Sequence, residues 1–228
     1  MSNEYDHQFK NINYFYGPYL YHGSVDPKFT QALLQEGAKC TEDQDMRDNL
    51  AGDLKQEYKF TPDQQKWFAR HMRLTFNHYV QSRMNWHALP KDKIPDYIIE
   101  NVWINYQYKN DYQPDHVHAG DFSWVIYIQI PETIKKEREK WLSKGAPPGT
   151  VTFAYGEAGG PLESSFAWAV QHQNFTPVVN EFFIFPAQLR HSVPPFKGEG
   201  CRISVSGNGS FQRADGENNN YVFGEARQ

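Results

Sequence analysis

From Tyr97 onward the hydrophobic residues recur at every second position, and a chain with that period must pair its strands into a sheet with one face buried. In the first such run Val102, Ile104, Tyr106 and Tyr108 fall on one side, with Trp103, Asn105 and Gln107 on the other. Phe122 to Ile130 repeats the pattern: Phe122, Trp124, Ile126, Ile128 and Ile130 face one way, Ser123, Val125, Tyr127 and Gln129 the other. Trp124 is assigned to the core side. Four further short apolar runs, TVTFAY, SFAWAV, EFFIFP and RISVSG, are separated by Gly, Pro, Asn and Ser clusters. Regularly spaced short strands of this kind point to a sandwich or a closed barrel.

The first half of the chain has a different period. Asp26 can cap a helix that starts at Pro27, holds Phe29, Leu33 and Leu34, and ends near Gly37. Thr61, Pro62 and Gln64 form a second helix start, a capping box, followed by Phe68, Met72, Phe76 and Val80 on one face to about Met84. His71 and His78 have no second ligand at helical spacing and are taken as a packed and a solvated histidine. Residues 1 to 25 are expected to be extended, Cys40 to Phe60 a surface loop with a short turn, and Glu132 to Leu142 a solvated helix. Helices before strands suggest a mainly β barrel or jelly roll buttressed by α-helices, since the sheet's outer face needs cover.

A length of 228 residues suits one domain, divided here into a helical and extended support (1–95), a jelly-roll core (96–212) and a polar tail (213–228). The net charge of −4 gives no electrostatic reason to expect nucleic acid or an anionic membrane as partner. Cys40 and Cys201 form no C-x-x-C pair, which argues against a disulfide framework and for a reducing compartment. No stretch approaches the roughly 18 apolar residues of a membrane helix, and MSNEYDHQFKN lacks a signal-peptide core, so a cytoplasmic location is expected.

The chemistry concentrates in YKNDYQPDHVHAGDFSWVIYIQI, residues 108 to 130. Residues i and i+2 of an extended segment share a face, so His116 and His118 could chelate one ion; the pair alone is equally compatible with a surface loop. The partner expected for them is His191, placed between the FIFP strand and the VPP turn. Imidazoles at a barrel mouth suit iron, copper, nickel or zinc better than calcium or magnesium. In GCRISVSGN, Arg202 and Ser204 share a face opposite Cys201, Ile203 and Val205. An inward arginine beside a serine offers a fork for a carboxylate; an outward one would be an ordinary surface arginine.

In this order VWINYQYKNDYQPDHVH, FSWVIYIQIP, FIFPAQLRHSVPPF and RISVSGN resemble the iron(II)- and 2-oxoglutarate-dependent oxygenases over roughly residues 102 to 208. The resemblance is closest to the members found in marine and T4-like bacteriophages, and NLAGDLKQEYKF (49–60) resembles their N-terminal half. It implies a double-stranded β-helix of the jelly-roll, cupin-like kind. His116 would be the first iron ligand and His191 the distal one. Arg202 and Ser204 would hold the far carboxylate of 2-oxoglutarate, and Tyr127 would add its hydroxyl, with Tyr106 and Tyr108 as rivals.

His118 stands where the family has an aspartate or glutamate. It could ligate as a third imidazole, or Asp121 or Asp115 could supply the carboxylate, or water could fill the position. Ala119 and Ser123-Trp124 also depart from the phage pattern of a proline and a Ser-Gly pair. The implied activity is hydroxylation of a C–H bond in a prolyl-type peptide or a small molecule, consuming dioxygen and releasing succinate and carbon dioxide. Two other classes are a cupin-like three-histidine metal protein acting without 2-oxoglutarate and a metal-free viral binding barrel.

Overall fold

The computed structural model describes residues 8–11, 18–49, 52–87, 95–143, 145–155 and 172–212. Strands β1 (Gln8–Asn11) and β2 (Tyr21–Ser24) precede helix α1 (Pro27–Gly37), two 3-10 turns (Glu42–Gln44 and Arg47–Asn49) and β3 (Gln56–Lys59). Helix α2 (Pro62–Trp86) leads to β4 (Asp96–Gln107), β5 (Gln113–His116) and β6 (Phe122–Gln129). Helix α3 (Glu132–Glu139) is followed by β7 (Val151–Ala154), β8 (His172–Phe175), β9 (Glu181–Pro186), β10 (Arg190–Val193) and β11 (Arg202–Gln212). All pairings are antiparallel. They build a seven-stranded sheet, β1-β2-β9-β6-β11-β4-β3, and a four-stranded sheet, β5-β10-β7-β8. The expected β architecture with supporting helices is what the chain forms: a jelly roll of two facing sheets.

The helices cover the outer face of the large sheet. Asp26 accepts a hydrogen bond from the Lys28 amide at 2.8 Å, and Thr61 and Gln64 close a reciprocal capping box; such caps stabilise a helix by about 1 kcal/mol each. Phe29 and Leu33 of α1 and Phe68, Met72, Phe76, Tyr79 and Met84 of α2 are fully buried. They join Val102 and Ile104 of β4, Phe122, Trp124 and Ile126 of β6, and Ile203 and Val205 of β11 in one core. A second core fills the space between the sheets, with Leu20, Tyr127, Val151, Phe153, Phe183, Phe185 and Leu189. The period of two therefore sorts β4, β6 and β11 as expected: one set of side chains toward the helices, the other toward the second sheet. Among the described residues no helix is long and apolar enough to cross a membrane.

Two expectations need correction. Cys40 to Phe60 is not a loop throughout, because Gln56–Lys59 is an edge strand whose Glu57 lies opposite Asn105 and whose Lys59 lies opposite Trp103. His191 lies between the FIFP strand and the VPP turn as expected, on the short strand β10. The small sheet gains β8, HQNF, which has no apolar alternation, while SFAWAV and the tail 213–228 lie outside the described residues. Of the two helix histidines, His71 is buried with Nδ1 2.8 Å from the Trp67 carbonyl; exposed His78 has Nδ1 2.6 Å from the Tyr21 hydroxyl, so it is not solely solvated.

Gly207 of β11 sets the spacing between the large sheet and its helix cover. A Cβ there would lie 2.0 Å from Cζ2 of Trp124 and 2.4 Å from the Asn101 carbonyl oxygen. Neither neighbour can withdraw, since the indole stacks on Phe68 and the carbonyl belongs to β4. Gly207→Ala is expected to destabilise the fold by at least the ~1–3 kcal/mol typical of overpacking, read as a lower urea midpoint. An unchanged midpoint would show that the indole repacks freely.

Candidate metal centre

Seventy-odd residues of sequence separate the histidines, and one strand pairing closes the gap: β5 and β10 run antiparallel with His116 directly opposite His191. His118 lies just past β5, where its amide donates to the Ala187 carbonyl at 2.9 Å. Ring centroids are 4.2 Å apart for His116 and His191, 5.0 Å for His116 and His118, and 4.9 Å for His118 and His191. One nitrogen from each ring lies within 4.8 Å of the others, a spacing that one ion can bridge.

Hydrogen bonds select which nitrogens face inward. Nδ1 of His116 lies 2.7 Å from the Pro114 carbonyl and Nδ1 of His191 lies 2.9 Å from the Leu189 carbonyl. A carbonyl only accepts, so both Nδ1 atoms carry hydrogen, which leaves Nε2 of each ring as the nitrogen available to a metal. Nε2 of His118 is 3.2 Å from Nε2 of His191. Burial, and then the nearness of His116, pushes His118 down to about 4, and His191 is lowered well below the usual histidine range by the same causes. Three imidazoles gathered in this way, two of them held neutral by burial, are a donor set a divalent transition metal takes.

Neither aspartate joins them. Asp115 is held by Arg190, whose Nε donates to it at 2.7 Å, and Asp121 accepts the Phe211 amide at 2.8 Å. Among the described residues the candidate ligand group is His116, His118 and His191 alone.

Arg202 lines a small cavity of about 40 Å³ together with His118, His191, Asn105, Tyr127 and Ser204. Only 4 % of it is exposed. Nη1 donates to Gln107 Oε1 at 3.1 Å, the guanidinium carbon lies 5.1 Å from the Tyr127 ring centre, and Nε has no partner. Among the described residues no carboxylate pairs with it. An isolated buried cation is costly, and burial accordingly lowers the pKa of Arg202. The Tyr127 hydroxyl is likewise buried without a hydrogen-bond partner; burial pushes its pKa up to about 12 against the pull of Arg202. The rivals lie elsewhere: Tyr106 packs on the helix-side core, and the Tyr108 hydroxyl donates to Gln56 at 2.9 Å.

A wider cleft of about 470 Å³, within the range of small-ligand sites, adjoins that cavity and shares Trp103, Gln113 and His118 with it. Its lining includes Trp103, Asn101, Asn208, His116, His118 and Glu57.

Residues 101–208, which contain all three histidines, Tyr127, Arg202 and Ser204, match a family model described as "Putative 2OG-Fe(II) oxygenase". No curated protein matches the chain in sequence. Among solved structures, the viral collagen prolyl hydroxylase from Paramecium bursaria Chlorella virus-1, in complex with 2OG, is similar at 12% identity over 89% of this chain and 95% of that one, with a TM-score of 0.50. It shares the fold. A Pseudomonas putida prolyl-4-hydroxylase matches at 15% identity over 85% of this chain and 92% of that one, TM-score 0.49. HygX from Streptomyces hygroscopicus, with nickel and 2-oxoglutarate bound, matches at 13% identity over 90% and 91%, TM-score 0.47.

Sequence reasoning missed Glu57 altogether, and no pattern in QEYK marks it as other than a surface charge. It is 2 % exposed, its Oε2 has no partner, and burial, assisted by Asp45, raises its pKa from 4.5 to about 8. The folded state thus holds this proton more tightly than the unfolded chain, so the contribution of Glu57 to stability is greatest below the unfolded pKa and is lost as pH rises toward 8. Glu57→Gln removes that term. Relative to the wild type, the variant should gain stability, by up to a few kcal/mol, between pH 5 and pH 8 in urea denaturation. A constant difference across that window would contradict the raised pKa.

Proposed function

We propose that the chain is an iron(II)- and 2-oxoglutarate-dependent dioxygenase that hydroxylates a C–H bond of a prolyl-type peptide or a small molecule, with release of succinate and carbon dioxide. The observation that supports this best is Arg202: a buried cation with no carboxylate partner among the described residues, lining the same cavity as His118 and His191 of the histidine cluster. A dicarboxylate that chelates a metal at one end and needs a guanidinium at the other suits such a pairing. The donor set fits as well, since three imidazoles bind a divalent transition metal.

Iron(II) with 2-oxoglutarate and dioxygen supplies, when bound, an oxidant able to break an unactivated C–H bond. The chain's residues hold and enclose. His116, His118 and His191 would take the metal through Nε2, their rings oriented by the Pro114 and Leu189 carbonyls for the first and last of them. Arg202, kept in place by Gln107, would receive the far carboxylate, with Ser204 and the Tyr127 hydroxyl as further donors. Phe153 and Phe185, whose rings lie 5.9 and 4.9 Å from that of His191, exclude water from the inner side. The wider cleft leaves the outer side open to the substrate. The likeness to the bacteriophage members is part of the same proposal.

His118 in place of a carboxylate favours, as a second candidate, a three-histidine metal protein that works without 2-oxoglutarate. Such a site has no use for Arg202, which ranks it below the first. Anaerobic protein given iron(II) and 2-oxoglutarate should develop the visible charge-transfer band of the chelate, and Arg202→Ala should abolish it while still binding metal. Absence of the band, or its survival in the variant, would overturn the assignment.

The same residue makes a stability prediction of opposite sign. Ligand-free Arg202→Met should unfold at a higher temperature than the wild type, because an unpaired buried charge is gone. Zinc with 2-oxoglutarate at 100 times its Kd should stabilise the wild type by about 2.7 kcal/mol and the variant by much less. Thermal unfolding with and without the two ligands checks both.

A further inference from the structure

The inner face of the large sheet carries a row of polar side chains at one level. Strand pairing places Glu57 of β3 opposite Asn105 of β4, Asn105 opposite Ser204 of β11, and Ser204 opposite Tyr127 of β6. The end of the row at Tyr127 and Ser204 belongs with Arg202. The end at Glu57 has no assigned role, and it lines the cleft together with His116 and His118.

Two buried acceptors in this row lack donors: Oε2 of Glu57 and Oδ1 of Asn105. Asn105 spends its own amide hydrogens on Ser204 and Ser206, the contact to the Ser206 hydroxyl being 3.2 Å, so it offers nothing to Glu57. Leaving a buried acceptor unpaired costs about 1–3 kcal/mol each, and more for a carboxylate. A group with N–H donors seated in the cleft removes the cost at Glu57, while Asn105 lines the smaller cavity beside it. The nearby Asp45 is already paired with Arg47 and adds no free charge. One further feature favours a positive charge on that group. The Trp103 ring also lines the cleft, an apolar and π-rich surface on which an alkyl stem or a cation packs. The other ionisable groups around Glu57 are Lys59, exposed two residues along the same strand, and His116 and His118 on the cleft's histidine side.

We propose that Glu57 is the specificity-determining residue of the cleft and that the substrate presents to it a cationic nitrogen, an ammonium or guanidinium group, seated beside the three histidines. The word substrate rests on the oxygenase function proposed above; the cation site itself does not. A substrate anchored through that nitrogen turns its neighbouring carbons toward His116 and His118. Lys59 at the rim supplies the complementary charge for an acidic or carbonyl group farther along the same molecule.

Isothermal titration at pH 8.5, above the raised pKa of Glu57, of the zinc-loaded full chain with Nα-acetyl-lysine N-methylamide, Nα-acetyl-arginine N-methylamide and the neutral Nα-acetyl-norleucine N-methylamide tests the site. At least one cationic probe should bind tenfold or more tightly than norleucine, and Glu57→Gln and Glu57→Met should each erase the preference. Two variants are used so that one poorly folded protein does not decide the result, and circular dichroism with a thermal midpoint reports an intact fold in each. Equal binding of the three probes, no binding at millimolar concentration, or a preference that survives both substitutions overturns the proposal. The charge-transfer band, measured on the same preparations, separates the two claims. Selective binding without the band leaves the cation site standing and removes the oxygenase, whereas the band without selectivity removes only the role of Glu57.

Discussion

Everything at the site depends on the register of β11 between β4 and β6. The strand is bonded along both edges, with Ser204 aligned at once to Asn105 and Tyr127. Because side chains alternate, a slip of one residue would turn Arg202 and Ser204 toward the helices and bring Ile203 and Val205 into the cavity. The outer core prevents that slip: Ile203 and Val205 are locked among the side chains of α1 and α2, so burial of apolar surface on one face holds a cation and a hydroxyl in place on the other.

The same coupling explains what could be read from the amino-acid order. Alternation was legible in β4, β6 and β11, whose helix-facing residues are bulky and apolar, and from it the two faces followed correctly. It failed for β3, QEYK, because its inward positions are Glu57 and Lys59, and a strand with polar residues facing a cleft looks like a surface loop. The small sheet was nearly invisible for a related reason: QPDH, HQNF and RHSV are four-residue strands whose partners, not their hydrophobicity, define them. Three histidines, an arginine, a serine and a tyrosine are marked by spacing and by family likeness; the histidines cluster, and two of them share a cavity with Arg202, Ser204 and Tyr127. Glu57 carries no such mark, since what distinguishes it is burial without a partner.

The third histidine has a structural explanation in the positions of the nearby acids. Asp115 is committed to Arg190 on the exposed side of β5, and Asp121 to the backbone of β11. Moving either toward the ring cluster would break an existing bond. With neutral ligands only, the protein places no negative charge against the ion, and an anionic co-ligand becomes the principal source of charge balance at the centre.

The two ends of the polar row differ in how the backbone supports them. Ser204 and Tyr127 belong to strands bonded on both sides, whereas β3 is an edge strand, laddered to β4 and held on its other side by a single bridge at Asp45 and Met46. Change in an interior strand disturbs two ladders; change in an edge strand disturbs one. The wall that selects a ligand can therefore drift, lengthen or be replaced over generations while the chemistry behind it stays intact, and relatives of this chain can diverge in what they accept without rebuilding what they do.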